Sequence, residues 1–90
     1  VQSHRSHVGD RTTRKAIDTA IGIIIALRGC SPDEAFAELA DVVHRSGIGL
    51  GATSDALVAL ATGVSGSTSE HLEAFNAWGS ALADARSVRT

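Results

Sequence analysis

Two apolar stretches of the chain are separated by Gly29-Cys30-Ser31-Pro32-Asp33-Glu34, and this short segment constrains the fold more than any other. Glycine accepts the left-handed backbone that commonly ends helices, so a helix is expected to stop at Gly29. Ser31 has the side chain of an N-cap, Pro32 suits the first helical position, and Glu34 stands where a capping box closes. One helix therefore ends and a second begins within a few residues.

The flanking patterns supply the rest of a helical bundle. From Thr12 onward, Ile17, Ala20, Ile21, Ile24 and either Leu27 or Arg28 recur at spacings of three and four, which places them on one helical face. Ile23 and Ile25 widen that face, and a helix apolar over so much of its circumference is usually covered on more than one side. Gly22 interrupts it at a cost of roughly 1 kcal/mol relative to alanine. Its two readings are close helix packing and an approach site for a ligand or partner backbone. In the second helix, Ala35, Phe36, Leu39, Val42 and Val43 form the inward face, Asp33, Glu34, Glu38, Asp41 and Arg45 the solvated one, and Gly47 the end.

Ser46 to Gly51 alternates glycine with Ile48 and Leu50, which predicts a bent connection that tucks both under the bundle. A third helix, capped by Thr53 or Ser54, carries Leu57, Val58, Leu60 and Ala61 and ends at Gly63. Val64 to Thr68 reads as a turn, and Ser67 with Glu70 as a second capping box. A fourth helix, Ser69 to Arg86, aligns Leu72, Phe75, Trp78, Leu82 and Ala85 along one stripe suited to docking within the chain or across a symmetric dimer. Strand-period runs are absent. The expectation is an all-α fold: a tail or linker over residues 1–11, a three-helix domain over 12–63, and an appended helix and tail over 64–90.

Composition limits the function classes. With 8 Lys+Arg against 10 Asp+Glu the net charge is −2, so no bulk field draws polyanions, and nucleic-acid binding needs a local basic patch. A single Cys30 excludes an internal disulfide and fits a reducing cytoplasm, and the apolar run Ala20 to Leu27 is too short to cross a bilayer. The chain is read as soluble and cytoplasmic. It has no Met and begins at Val1, which leads to the expectation of a longer parent protein with an upstream domain.

Candidate sites are few. His4 and His7 lack the further ligands a zinc ion needs, so no metal is expected. Cys30 follows a helix end whose dipole disfavours a thiolate, and no phosphate loop or nucleophile–base order stands out; the chain is read as neither an enzyme nor a cofactor carrier. A DNA-reading helix-turn-helix needs long polar side chains on its recognition helix. The third helix has no Lys, Arg, Asn or Gln, and the seven residues between Arg45 and Thr53 exceed the usual turn. Specific DNA binding is therefore not expected. The basic residues gather early: if the first helix starts near Thr12, Arg11, Arg14 and Lys15 surround its first turn, where free backbone N–H groups also favour anions.

Arg14, Ile17, Ala20, Gly22 and Ile23, then Ser31, Glu34, Ala35, Phe36 and Leu39, follow the order Arg-x-x-Ile-x-x-Ala-x-Gly-Ile, a short loop, and Ser-x-x-Glu-Ala-Phe-x-x-Leu. This closely resembles the first two helices of the ANTAR family, small helical RNA-binding output domains of bacterial transcription antitermination regulators. The similar region covers about Arg14 to Gly63. The resemblance implies a three-helix bundle that binds paired RNA hairpins near terminators, dimerises, answers to an attached sensor or receiver domain, and needs no cofactor. On that reading Arg14 and Lys15 contact phosphates, Arg11, Arg28 and Arg45 are further candidates, and Ala20 and Gly22 permit close approach of an RNA loop. Leu72, Phe75, Trp78 and Leu82 are the docking or dimer residues. Departures stand at Ile21, where Lys or Gln is frequent, at Ala40, commonly Arg, and at Val42-Val43, where a small residue is expected. They motivate the alternative reading, a diverged dimerisation or protein-interaction module without RNA binding.

Overall fold

In the computed structural model the backbone is described for residues 2–63 and 69–89, and the side chains for 13–63 and 70–85. Four helices follow one another: α1 (Gln2–Arg28), α2 (Pro32–Ser46), α3 (Leu50–Ala61) and α4 (Ser69–Arg89). Among the described residues there is no strand.

The helix boundaries around Ser31 form as their chemistry dictates. Gly29 takes φ 65 after α1. The Glu34 N–H donates to Ser31 Oγ at 3.1 Å, and the Ser31 N–H donates to Glu34 Oε1 at 2.9 Å. That backbone bond, with a second from the Ser31 side chain, holds the Glu34 carboxyl below its ordinary range. At the far end of α2, Gly47 takes φ 74 and its N–H bonds to the Val43 carbonyl, so the helix closes where glycine was expected to close it.

Two boundaries differ from the sequence reading. α1 starts at Gln2, and not near Thr12 after a tail ending at residue 11. Apolar periodicity marks where a helix packs; a helix that runs past its packing face leaves no such pattern, and between Gln2 and Arg11 no proline interrupts it. α3 starts at Leu50, with Gly49 as its N-cap, so Thr53 and Ser54 are interior residues and not caps. Both are buried, and the Thr53 N–H bonds to the Gly49 carbonyl at 2.9 Å. Burial of Leu50 against the core draws the helix start back past them. The α2–α3 connection is therefore the three residues 47–49, and its length gives no argument against a helix-turn-helix.

The core joins all four helices through Ala20, Ile24, Ala35, Leu39, Val42, Ala56, Leu57, Ala74, Trp78 and Leu82. Full burial of Ile24, Leu39 or Leu57 stabilises the fold by about 1.5 to 3 kcal/mol each before ordering entropy is counted. α3 is the central element, packed on both α1 and α4. The seam of α2 is the narrow line Ala35, Leu39, Val42, which leaves Phe36 on the shoulder at 43% exposure instead of in the core. Val43 lies beside it, half-buried.

The fourth helix docks within the chain. Trp78 is fully buried, as expected, and Leu82 lies with it in the core. The expected stripe splits, however: Leu72 is 55% and Phe75 61% exposed, and Ala85 is exposed. The packed line is Ala74, Trp78 and Leu82, flanked by Ala77. Alanines let α4 approach α3 closely, and the larger Leu72 and Phe75 are turned outward. The capping box proposed at Ser67 and Glu70 lies outside the described residues.

Candidate nucleic-acid interface

Burial sorts α1 into two faces. Ala20 and Ile24 have no exposure, and Ile17, Ile21, Ile23, Ile25 and Leu27 pack around them. On the opposite side Lys15, Asp18, Thr19, Gly22 and Ala26 are exposed, with Arg14 exposed beside them. Residues 15, 19, 22 and 26 recur at four, three and four, so they line one outward stripe. The surface is narrow, and small from Thr19 onward.

Gly22 sits in the middle of that stripe. A Cβ placed on it meets no atom within 4 Å, so nothing among the described residues requires a glycine there. Close packing within the fold, one of its two readings, is excluded.

The candidate cations differ in their surroundings. Arg14 and Lys15 carry no ion pair among the described residues. Arg28 Nε and Nη2 donate to Glu38 at 3.1 and 3.0 Å, and Arg45 pairs with Asp41 at 3.2 Å along α2. Ala20 is removed from any surface contact by its complete burial. Arg11 precedes Lys15 by one turn of α1, and its side chain lies outside the described residues. Because α1 starts at Gln2, the backbone N–H groups near Arg14 belong to the interior of the helix. The anion-attracting helix end proposed at Thr12 is absent there, and only the side-chain charges remain.

Sequence reasoning placed Glu38 on the solvated face. It is instead a junction: Trp78 Nε1 donates to Glu38 Oε2 at 2.7 Å, and the same oxygen accepts from Arg28. One carboxylate thus ties α1, α2 and α4. A buried indole needs an acceptor for its N–H, which was the available signal, but a partner forty residues away carries no mark in the chain.

Two clefts open at helix junctions. Lys15, Ala16 and Thr19 of α1 face Asp55 and Val58 of α3 across a cleft of about 220 Å³. Val42 and Arg45 of α2 face Glu73, Asn76 and Ala77 of α4 across one of about 80 Å³. The described residues hold no group of three His, Cys, Asp or Glu side chains placed for a metal ion. No described helix is long and apolar enough to cross a membrane. Asp55 is the one exposed residue of α3.

The model of one protein family, the ANTAR domain, matches residues 9–63, α1 through the end of α3. No curated protein and no solved structure gives a significant match.

Proposed function

Because the chain belongs to the ANTAR domain family, a family of regulatory, non-enzymatic RNA-binding output domains, we propose that it binds paired RNA hairpins near transcription terminators and favours the antiterminated structure. The observation that carries this reading is the outward stripe of α1, where Lys15 and Arg14 stand free of acidic partners among the described residues beside the open Gly22. Arg14 and Lys15 contact phosphates, and Thr19, Gly22 and Ala26 let a loop approach the helix backbone. Arg28 and Arg45 contribute less, since each already shares its charge with a carboxylate. The regulator works in the cytoplasm as a homodimer under an upstream sensor or receiver domain, in keeping with the family.

Each lost phosphate contact lowers the log–log salt slope by roughly 0.7 where the contacted RNA is single-stranded. An Arg14→Ala, Lys15→Ala variant is expected to bind tandem hairpins more weakly and with a flatter slope. Unchanged affinity and slope would take both residues out of the interface.

One observation favours the second reading, a protein-association module without RNA activity: Leu72 and Phe75 are exposed together on α4. Selection of cellular RNA on the full-length protein separates the two. Enrichment of paired hairpins supports the first, and a stable protein partner without RNA supports the second.

A further inference from the structure

Glu38 is where the fourth helix meets a cation of the first. Its Oε2 accepts from Trp78 Nε1 at 2.7 Å and from Arg28 Nε and Nη2 at 3.1 and 3.0 Å, and its Oε1 accepts from Arg28 Nε at 3.3 Å. Trp78 is fully buried. An indole has one donor and no acceptor, so burying it orders the carboxylate that receives it. The acceptor is thus held from inside the fold, while the Arg28 side chain, 41% exposed, meets it from the surface.

The pair at Arg45 differs. Its Nε meets Asp41 Oδ2 at 3.2 Å one turn away on the same helix, with the two side chains 68% and 65% exposed. Such a pair is worth little, because two mobile side chains must both be ordered to form it. At Glu38 the acceptor is already ordered by the indole, and the guanidinium engages it through two nitrogens, which strengthens the contact. Whether Arg28 is held or released therefore depends on the seating of α4.

We infer that Glu38 is an autoinhibitory clamp on Arg28: with α4 docked, Trp78 holds the carboxylate against the guanidinium and keeps that cation from a polyanion, and withdrawal of α4 loosens the hold. This rests on the RNA-binding reading above and adds regulation to it. A helix outside the family-matched residues 9–63 sets how many cations the matched part offers. Glu38 is a positioning residue that acts through Arg28 and does not touch RNA.

The test measures binding of tandem RNA hairpins by the 90-residue chain over a range of salt. Glu38→Gln keeps an oxygen to accept from Trp78 and removes the charge that holds Arg28. It is expected to tighten binding about two- to fivefold, the range over which a partly exposed ion pair competes. The log–log salt slope should steepen by roughly 0.7 where the contacted RNA is single-stranded, and the emission should stay that of a buried indole. Arg28→Ala made in the Glu38→Gln background should abolish both gains, and should cost more affinity there than in the wild type. Trp78→Phe, which keeps an aromatic ring in the core and deletes the N–H, should give part of the gain. Asp41→Asn, which strips Arg45 of a carboxylate that no indole holds, should give less than Glu38→Gln. A gain that survives Arg28→Ala reflects only the lost negative charge and overturns the clamp. Wild-type affinity in Glu38→Gln, or an equal gain from Asp41→Asn, overturns it too, and each of these outcomes leaves RNA binding standing. Failure of the wild-type chain to bind any hairpin overturns the RNA reading itself, and the clamp with it.

Discussion

Replacing Gly22 by alanine separates what the fold needs from what a ligand needs. Glycine within a helix costs about 0.8 to 1.0 kcal/mol relative to alanine, chiefly through backbone entropy lost on folding. A Cβ at Gly22 meets nothing within 4 Å, so the added methyl carries no offsetting clash. The full gain of about 1 kcal/mol is therefore expected, equivalent to a rise of about 4 to 8 °C in Tm for a domain of this size. Thermal unfolding followed by circular dichroism measures it. Hairpin affinity, measured on the same variant, should move the other way if the proposed loop contact is made at Gly22, because the added methyl group would stand in it. A lowered Tm would refute the reasoning on the fold side, since it would mean that α1 packs closely at Gly22. A raised Tm with unchanged affinity would refute it on the functional side and move the interface off the stripe.

Trp78→Ala removes the largest fully buried side chain and strands Glu38 without its indole donor; a loss of about 3 to 5 kcal/mol is expected in denaturant titration, and the native wild-type emission should be that of a buried indole even in a monomer. Ser31→Ala should cost about 1 kcal/mol by loss of the N-cap. The Glu34 carboxyl is held below its ordinary range by the Ser31 N–H, so its contribution is present above the unfolded-state pKa and is lost as pH falls through the folded one; Glu34→Gln should flatten the fall of Tm on acidification through that window. Ser54→Ala should stabilise by about 1 kcal/mol, because it removes a buried hydroxyl that has no hydrogen-bond partner among the described residues; a lower Tm would mean that the hydroxyl is satisfied.

What the chain displayed along its length depended on the range of the interactions. The Gly29 and Ser31 boundary was legible because every partner in it lies within a few residues. Burial of Trp78 was legible from its size. The start of α3 was not, since the polar type of Thr53 and Ser54 suggested caps while the pull of Leu50 toward the core comes from packing across the bundle. Phe36, Leu72 and Phe75 were misplaced for a related reason: apolar character was taken as burial, yet the helices meet along lines rich in alanine, and the bulkier residues fall beside those lines. Of the candidate site, Arg14 and Gly22 were singled out by the motif and Lys15 by the cluster of basic residues around it, while the opposition of Lys15 and Asp55 needed the α1–α3 junction to become visible.

The unit that folds is larger than the unit the family model matches. That match ends at Gly63, yet Ala74, Trp78 and Leu82 of α4 belong to the same buried cluster as the core residues of α1, α2 and α3. A domain of about 60 residues buries only about 60% of the surface of its unfolded chain and is correspondingly marginal. Here α4 packs on α3, and Lys15, Thr19, Gly22 and Ala26 of α1 stay exposed. The carboxylate of Glu38 also couples the two roles: it accepts from Trp78 to fasten α4 and from Arg28 to hold the C-terminal end of α1. Arg28 thereby shares its charge with the fold, while Arg14 and Lys15, a few turns earlier on α1, carry no ion pair among the described residues.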